Sequence, residues 1–556
     1  MAAGTLSRGV GRARGAGPGT LLFFVALMVS AGALVLWLSD LTFWRDEWAF
    51  ILDRRYGGID VFLDPFVEQL LAVAVAVYKL LIAVFGIESP LPFQLAHVAV
   101  WIGLTTVLFF YLRRRVGEWL ALAGLLPILF FGPAWDDLLF PFQISFLGAL
   151  GCGVGALFAL DREDLRGDLI AAVLLLIGLF CQHVAIGFVV AATIDIGFTR
   201  DRFRRAWVVA IPTAFWFAWY FGWGREAENF VSFHNFQTLI GYVADGLSSS
   251  LSSLLGLAIP RDEMTLNPLD WGRPLLVIAI AAGIWRVAKV GVAAMPGRFW
   301  AVLAAQLVFW SLCGLNAAFF GQATSGRYQI VGAVLWVMIA AELLKGVRVG
   351  RIATAVVVAI GLLAALANFS LLRSTAGGLA NIAEQQRGGL AALELTRGEV
   401  ADDFELTEAN SGVDYLGIID AASYFSAIDA FGSPAYTPDE LAAAPDSARV
   451  AADRVFTAAL GLGLTDADPS AGTACGPIRL GGEPALIPIP PDGAVLHSDD
   501  ARAKVGVRRY AAEGAPVTIG RIAPGQSREL TIPPDLSQQP WQLGLEGSGS
   551  VEVCAR

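Results

Sequence analysis

Apolar residues run in long blocks along residues 19–372, and the short polar stretches between them alternate in character. Some are rich in arginine; the others hold carboxylates, tryptophans and glycines. The first block, 21–38, has no charged residue. A helix of about 20 such residues crosses the hydrocarbon core of a bilayer. Further crossings are predicted near 91–112, 118–134, 142–160, 168–182, 184–199, 206–223, 273–288, 298–318, 328–345 and 352–372. Two other apolar stretches are expected to lie on the outer surface as helices. One is 66–86, which carries Glu68, Gln69 and Lys79; the other is the middle of the long loop 224–271. After residue 373 the blocks stop. Residues 373–465 alternate Ala-rich helical pieces with Gly and Pro breaks, and 466–556 read as short strands between turns, the pattern of a small β-sandwich.

Composition agrees with a membrane protein. The chain is 56% hydrophobic and 16% charged, with a mean hydropathy of +0.61, where a soluble domain carries about a quarter charged residues. The net charge of -10 gives no sign of a nucleic-acid partner. The basic clusters are Arg8/Arg12/Arg14, 113–115, Arg162/Arg166, 200–205, Arg286/Lys289/Arg298 and Lys345/Arg348/Arg351. The positive-inside rule puts each on the cytoplasmic side. The sequence thus describes a mainly α-helical, polytopic protein of the plasma membrane with about eleven spans. Its organisation is a cytoplasmic tail 1–18, a transmembrane domain 19–372 with a first outer loop 40–89, a mixed extracytoplasmic region 373–465 and an extracytoplasmic β-sandwich-like domain 466–556. Arg8, Arg12 and Arg14 also suit a signal peptide, but the apolar block is long for one and no small-x-small cleavage site follows it. Trp44, Trp48, Trp135, Trp223 and Trp271 fall at the outer boundaries, where indole rings anchor. Cys152, Cys181 and Cys313 lie in apolar runs, whereas Cys475 and Cys554 stand in the exterior part and are placed to form a disulfide.

The same parity gathers the notable polar residues on the outer side. "LTFWRDEWAFILDRR" (41–55) sets Asp46 and Glu47 side by side directly after the first span, next to Arg45. Adjacent carboxylates repel, which raises the pKa of one unless a cation offsets it. Such a group deprotonates a hydroxyl nucleophile or ligates a hard divalent ion; the alternative is a solvated loop with a local salt bridge. "GPAWDDLLFPFQ" carries a second acidic pair, Asp136 and Asp137, suited to acceptor contact or to capping a helix. "GQATSGRYQIVG" puts Arg327 and Tyr328 at the mouth of a late span, where a guanidinium suits a phosphate, or else snorkels. Arg225 in "GWGREAENF" has a similar case, and His183 lies in a tight turn between two spans. No Walker loop, Rossmann glycine pattern, GxSxG or HExxH is present.

With its acidic "RDE" (45–47) in the first outer loop, surface helices over 60–86 and an exterior domain after the last span, the chain resembles the GT-C superfamily of polytopic glycosyltransferases. It looks most like actinobacterial members with "FWRDEW" early and an Arg-Tyr pair before a late span. The resemblance implies a membrane glycosyltransferase using a polyprenyl-phosphate-linked sugar. Its base would be the first-loop acid, Asp46, with Glu47 the adjacent alternative. Some members hold a divalent cation (Mg, Mn or Ca) near this acid, so Asp46 and Glu47 are the candidate ligands; no cofactor is certain. Relatives often carry a His/Asn/Glu/His run where "FVEQLL" stands here, and only Glu68 remains. The expected donor-phosphate group is Arg327, Tyr328 and Arg225; the expected substrate contacts are Arg45, Glu68, Asp136, Asp137 and His183. The partners are the lipid-linked sugar, an acceptor glycan, lipid or protein of the cell envelope, and membrane lipids. A flippase of lipid-linked glycans and a non-catalytic envelope-assembly protein are the rival classes. A flippase needs polar residues through the membrane, and the predicted spans have few, His97 being an exception.

Overall fold

The computed structural model describes residues 17–556 apart from 229, 261–265, 317–321, 414–418 and 482–483, so Arg8, Arg12 and Arg14 lie outside the described residues. The chain divides into two compact units. A helical unit draws on Met1–Val35, Phe62–Ala74 and Ala96–Thr375; a second unit draws on Leu36–Val61, Val75–Leu95 and Ala376–Arg556.

This is a multi-pass membrane protein by the length and composition of its helices. Among the described residues, six helices are long and apolar enough to cross a membrane: Pro18–Leu38, Leu91–Val116, Pro141–Leu160, Gly297–Asn316, Gly326–Leu344 and Arg351–Leu395. A seventh arises if the pair Glu118–Leu129 and Gly132–Leu139, bent by 47°, is one broken span. That is fewer than the eleven or so expected. The stretches predicted to cross near 168–182, 184–199 and 206–223 form helices Leu165–Cys181, Ala185–Gly197 and Trp207–Gly222, of 17, 13 and 16 residues. Leu269–Val290 has the length, at 22 residues, but carries Asp270, Arg273, Arg286 and Lys289. The stretch 66–86 is not one surface helix. Its start is a tight turn in which Phe66 and Gln69 exchange backbone hydrogen bonds, and only Ala72–Phe85 is helical.

Within the helical unit, the helix expected on the surface between 224 and 271 is Phe233–Leu254, and its second half is interior. Ser248, Ser249, Ser250, Ser252 and Ser253 are each at most 1% exposed. Ser248 and Ser250 donate their hydroxyls to the carbonyls of Ala244 (2.7 Å) and Gly246 (2.8 Å), which satisfies them without another helix. The small side chains let Leu269–Val290, Gly297–Asn316 and Gly326–Leu344 pack close. A Cβ on Gly246 would come within 2.2 Å of the Trp310 ring, so only glycine fits there.

Three of the arginines expected on the inner side, Arg115, Arg205 and Arg298, are buried in ion pairs. Arg115 bonds Glu342 and, at 3.1 Å, Asp161. Arg298 reaches Asp161 at 3.4 Å and Asp195 at 2.6 Å. Arg205 pairs with Asp168 at 2.6 Å. The clusters read as loop anchors thus also contribute the charges that tie helix ends together.

In the second unit, residues 464–555 form an eight-stranded antiparallel sheet. Its hub is the 14-residue strand Gln542–Ala555. The first half of that strand pairs with Ala485–Pro488 and Arg502–Arg508, and the second half with Thr473–Gly481 and Gly493–Ser498. Val505, Val507, Leu543, Leu545 and Val551 fill the interior at 0% exposure. Cys475 and Cys554 are disulfide-bonded. The helix Asp446–Ala459 is tied to the sheet by Asp453, whose carboxylate accepts the backbone N–H groups of Arg509 (3.0 Å), Tyr510 (2.9 Å) and Ala511 (3.0 Å).

Candidate functional site

The acidic pair belongs to the second unit, in the helix Asp46–Leu52. Two carboxylates in a first turn suit the positive end of a helix. The chain enters that turn through Arg45 at φ 44° and ψ -113°, a conformation a side-chain-bearing residue rarely adopts. Such backbone costs on the order of 1–3 kcal/mol and persists only where its surroundings fix it. Here they do. Glu47 reaches back so that its Oε2 accepts the Trp44 N–H at 2.9 Å, while its own N–H donates to the Trp44 carbonyl at 3.0 Å. The Tyr78 hydroxyl donates to Oε1 at 2.5 Å.

The two acids therefore differ. Glu47 is 1% exposed with both oxygens engaged inside the protein, whereas Asp46 is half-buried and Arg45 exposed. Burial pushes the Glu47 carboxyl up to about 7; the bonds from Tyr78 and Trp44 pull it down, and the Asp46 charge adds to the rise. Trp48, expected as an interface anchor, is fully buried. Its indole donates to the Phe43 carbonyl and meets Tyr424 edge-on. That contact shows what holds the turn. The helix Ala421–Phe431 packs on Asp46–Leu52, and Arg55 donates to the Ser423 carbonyl and, at 3.0 Å, to the Ser426 hydroxyl. The helix Ala421–Phe431 thus buttresses the acidic turn.

Each Glu47 oxygen already accepts one hydrogen bond inside the protein, so Asp46 is the less committed of the two expected ligands for a divalent ion. Among the described residues, the one group of three or more His, Cys, Asp or Glu within ligand distance is Cys475, Glu552 and Cys554, and its two cysteines are bonded to each other.

The helical unit contains a cavity of about 380 Å³, in the range usual for small-molecule sites. Glu68, His183, Arg225 and Tyr328 all line it. Glu68 enters on the 66–69 turn, which is set by Val67 at φ 55°, a strained value for a β-branched residue. His183 meets the rings of Trp216 and Trp219 edge-on, and Trp216 stacks on Tyr220 at 5.6 Å. The indole of Trp219 donates to the Leu63 carbonyl at 2.7 Å, pinning this aromatic wall. Arg225 is exposed, its guanidinium over the Phe221 ring.

The remaining candidates, Asp136, Asp137 and Arg327, range from half-buried to fully buried. Asp137 is fully buried, and its carboxylate oxygens have no hydrogen-bond partner among the described residues. It does not cap its helix, Trp135–Leu139, with its side chain. Asp136 beside it is half-buried. Arg327 is half-buried with its Nε unpartnered, and its charge acts on Asp137, Tyr328 and Cys313. A phosphate reaching Arg327 would compete with Asp137 for it. Tyr78, Gln69, Gln182, Trp216 and Tyr220 were not expected at either place. The one sequence signal was the "CQHV" turn, which flanks His183 with Gln182.

No protein-family model matches the chain, and no curated protein matches it. Among solved structures, it is similar to ArnT from Cupriavidus metallidurans, in a crystal structure bound to undecaprenyl phosphate. The likeness has a TM-score of 0.44 and 11% identity, over 69% of this chain and 81% of that one. A likeness that slight says nothing of activity.

Proposed function

We propose that the chain is a glycosyltransferase of the plasma membrane, of the GT-C kind that its early "RDE" resembles. It would move a sugar from a polyprenyl-phosphate donor to a cell-envelope acceptor at the outer face, with inversion. The observation that carries the reading is the division of labour in the acidic pair. Glu47 is spent on holding a strained turn with both of its oxygens, which makes Asp46, the half-buried member of the pair, the carboxylate assigned to the chemistry.

In this mechanism Asp46 takes the proton of an acceptor hydroxyl as its oxygen attacks the anomeric carbon. The bond from that carbon to the phosphate oxygen breaks, and the polyprenyl phosphate departs with the electron pair. A phosphate is stable as the anion, so no general acid is needed, only cationic stabilisation. Arg327, Tyr328 and Arg225, the candidates the sequence offers for a phosphate, are assigned to it. Glu47 near its midpoint at neutral pH keeps a second full charge away from Asp46. The amino-terminal tail would be cytoplasmic and the sheet region extracytoplasmic.

The test is transfer in proteoliposomes from radiolabelled polyprenyl-phosphate sugars to envelope glycans. Asp46→Asn should lose at least about 100-fold in kcat, the usual worth of a general base. Wild-type protein that transfers from none of a broad donor panel would end the proposal.

A further inference from the structure

Three side chains on the cavity wall form a directed chain of hydrogen bonds. The Val184 N–H donates to Gln182 Oε1 at 2.7 Å, the Gln182 amide donates to Gln69 Oε1, and the Gln69 amide donates to Glu68 Oε1 at 3.0 Å. Every donor points toward the Glu68 carboxylate, so the amide dipoles add head to tail at that group. The chain engages one oxygen of Glu68 and leaves the other. Among the described residues no arginine or lysine is ion-paired with Glu68. His183 and Trp216 line the same cavity, and His183 Nε2 and Trp216 Nε1 are buried nitrogens without a hydrogen-bond partner among the described residues. Buried polar atoms in native proteins are almost always satisfied, so such a set asks for a ligand. The lining is partly aromatic, with Trp216 stacked on Tyr220. A carboxylate acceptor, two ring nitrogens and flat apolar faces in one cavity match a neutral sugar, which has hydroxyls that donate and accept and C–H faces that stack.

We infer that this cavity is the sugar-headgroup subsite of the lipid-linked donor, an inference that rests on the glycosyltransferase reading. Glu68 accepts from ring hydroxyls, His183 and Trp216 supply the opposing contacts, and Gln69 and Gln182 position Glu68. The strained Val67 turn is what delivers the carboxylate there.

The experiment is equilibrium binding to the full chain in lipid nanodiscs, without acceptor. The probes are bare polyprenyl phosphate and the same lipid bearing one of several neutral hexoses and pentoses, or an amino sugar. At least one neutral-sugar lipid should bind about tenfold or more tighter than the bare lipid, the worth of a charged hydrogen bond. Glu68→Ala should remove that gain while leaving bare-lipid affinity within about twofold, which also reports that the variant is folded. Gln182→Ala should reduce the gain, and Trp216→Phe should reduce it too, losing only the ring nitrogen and part of the face. The proposal is overturned if no neutral-sugar lipid beats the bare lipid, if the gain is confined to the amino sugar, or if it survives Glu68→Ala. The two readings fail separately. Selective binding without transfer leaves the subsite and removes the enzyme; transfer from a donor whose affinity Glu68 does not affect leaves the enzyme and removes the subsite.

Discussion

Glu47 ties the stability of the acidic turn to pH at a single side chain. Its carboxyl titrates near 7 when folded, against 4.5 for the ordinary group. The folded state therefore holds a proton that the unfolded state has already released between those values. Stability is highest below about pH 4.5 as far as this group is concerned and falls as pH rises toward 7, by about 3 kcal/mol in all. Glu47→Gln should flatten that part of the pH–stability profile, measured as thermal midpoints in detergent from pH 4.5 to 8. An unchanged slope would contradict the burial argument. The same variant tests the division of labour. A glutamine still accepts from the Trp44 N–H and still meets Tyr78, so kcat should stay within about tenfold of wild type, whereas Asp46→Asn abolishes transfer. Equal losses would make Glu47 a participant in chemistry. The sequence made the pair legible as a pair, since adjacent acids after a span are rare enough to notice. It could not say which acid turns inward, because that depends on Tyr78, 31 residues away.

At the level of elements, the apolar blocks were readable and their ends were not. Pro18–Leu38 and Leu91–Val116 stand close to where hydropathy put them. Charge parity then forced every block to cross or to lie flat, and it missed two arrangements. A stretch such as 66–86 can break into a turn and a helix at Val67, where φ is 55°. A serine-rich segment such as 248–253 can be interior when hydroxyls such as those of Ser248 and Ser250 bond their own helix. The arginine clusters also hold what no local pattern shows, since Arg115, Arg205 and Arg298 have carboxylate partners far away in sequence. Two outcomes belong here. Val67→Gly should relieve the turn and raise stability by about 1 kcal/mol, read from the thermal midpoint, because glycine adopts that φ without strain. Arg298→Ala should cost roughly 3–5 kcal/mol, because it leaves Asp161 and Asp195 without that partner in a buried setting. A cost below 1 kcal/mol would show those carboxylates to be solvated.

Over the whole molecule, a helical unit carries the cavity and a second unit carries both the acidic turn and the β-sheet. Sequence blocks suggested instead that the first outer loop would belong with the spans around it. The packing of Ala421–Phe431 on Asp46–Leu52 joins residues nearly 400 positions apart, which no local pattern reveals. The disulfide was easier, because Cys475 and Cys554 stand alone in a polar region. It also gives the handle for topology. Cys475 is exposed and Cys554 buried, while Cys152, Cys181 and Cys313 lie in the helical unit. Removing Cys554 therefore frees an exposed thiol, and removing Cys475 frees a buried one. If the sheet region is extracytoplasmic, Cys554→Ser should react with a membrane-impermeant maleimide in intact cells, while Cys475→Ser and wild type react far more slowly. Labelling of Cys554→Ser only after permeabilisation would place the sheet in the cytoplasm and reverse the whole topology, the acidic turn included. Both variants should also lose about 2–5 kcal/mol, since the bridge closes a loop of 79 residues that the unfolded chain otherwise leaves open. Labelling is read at a temperature where each variant remains folded, so reactivity reports the side of the membrane and not the loss of the fold.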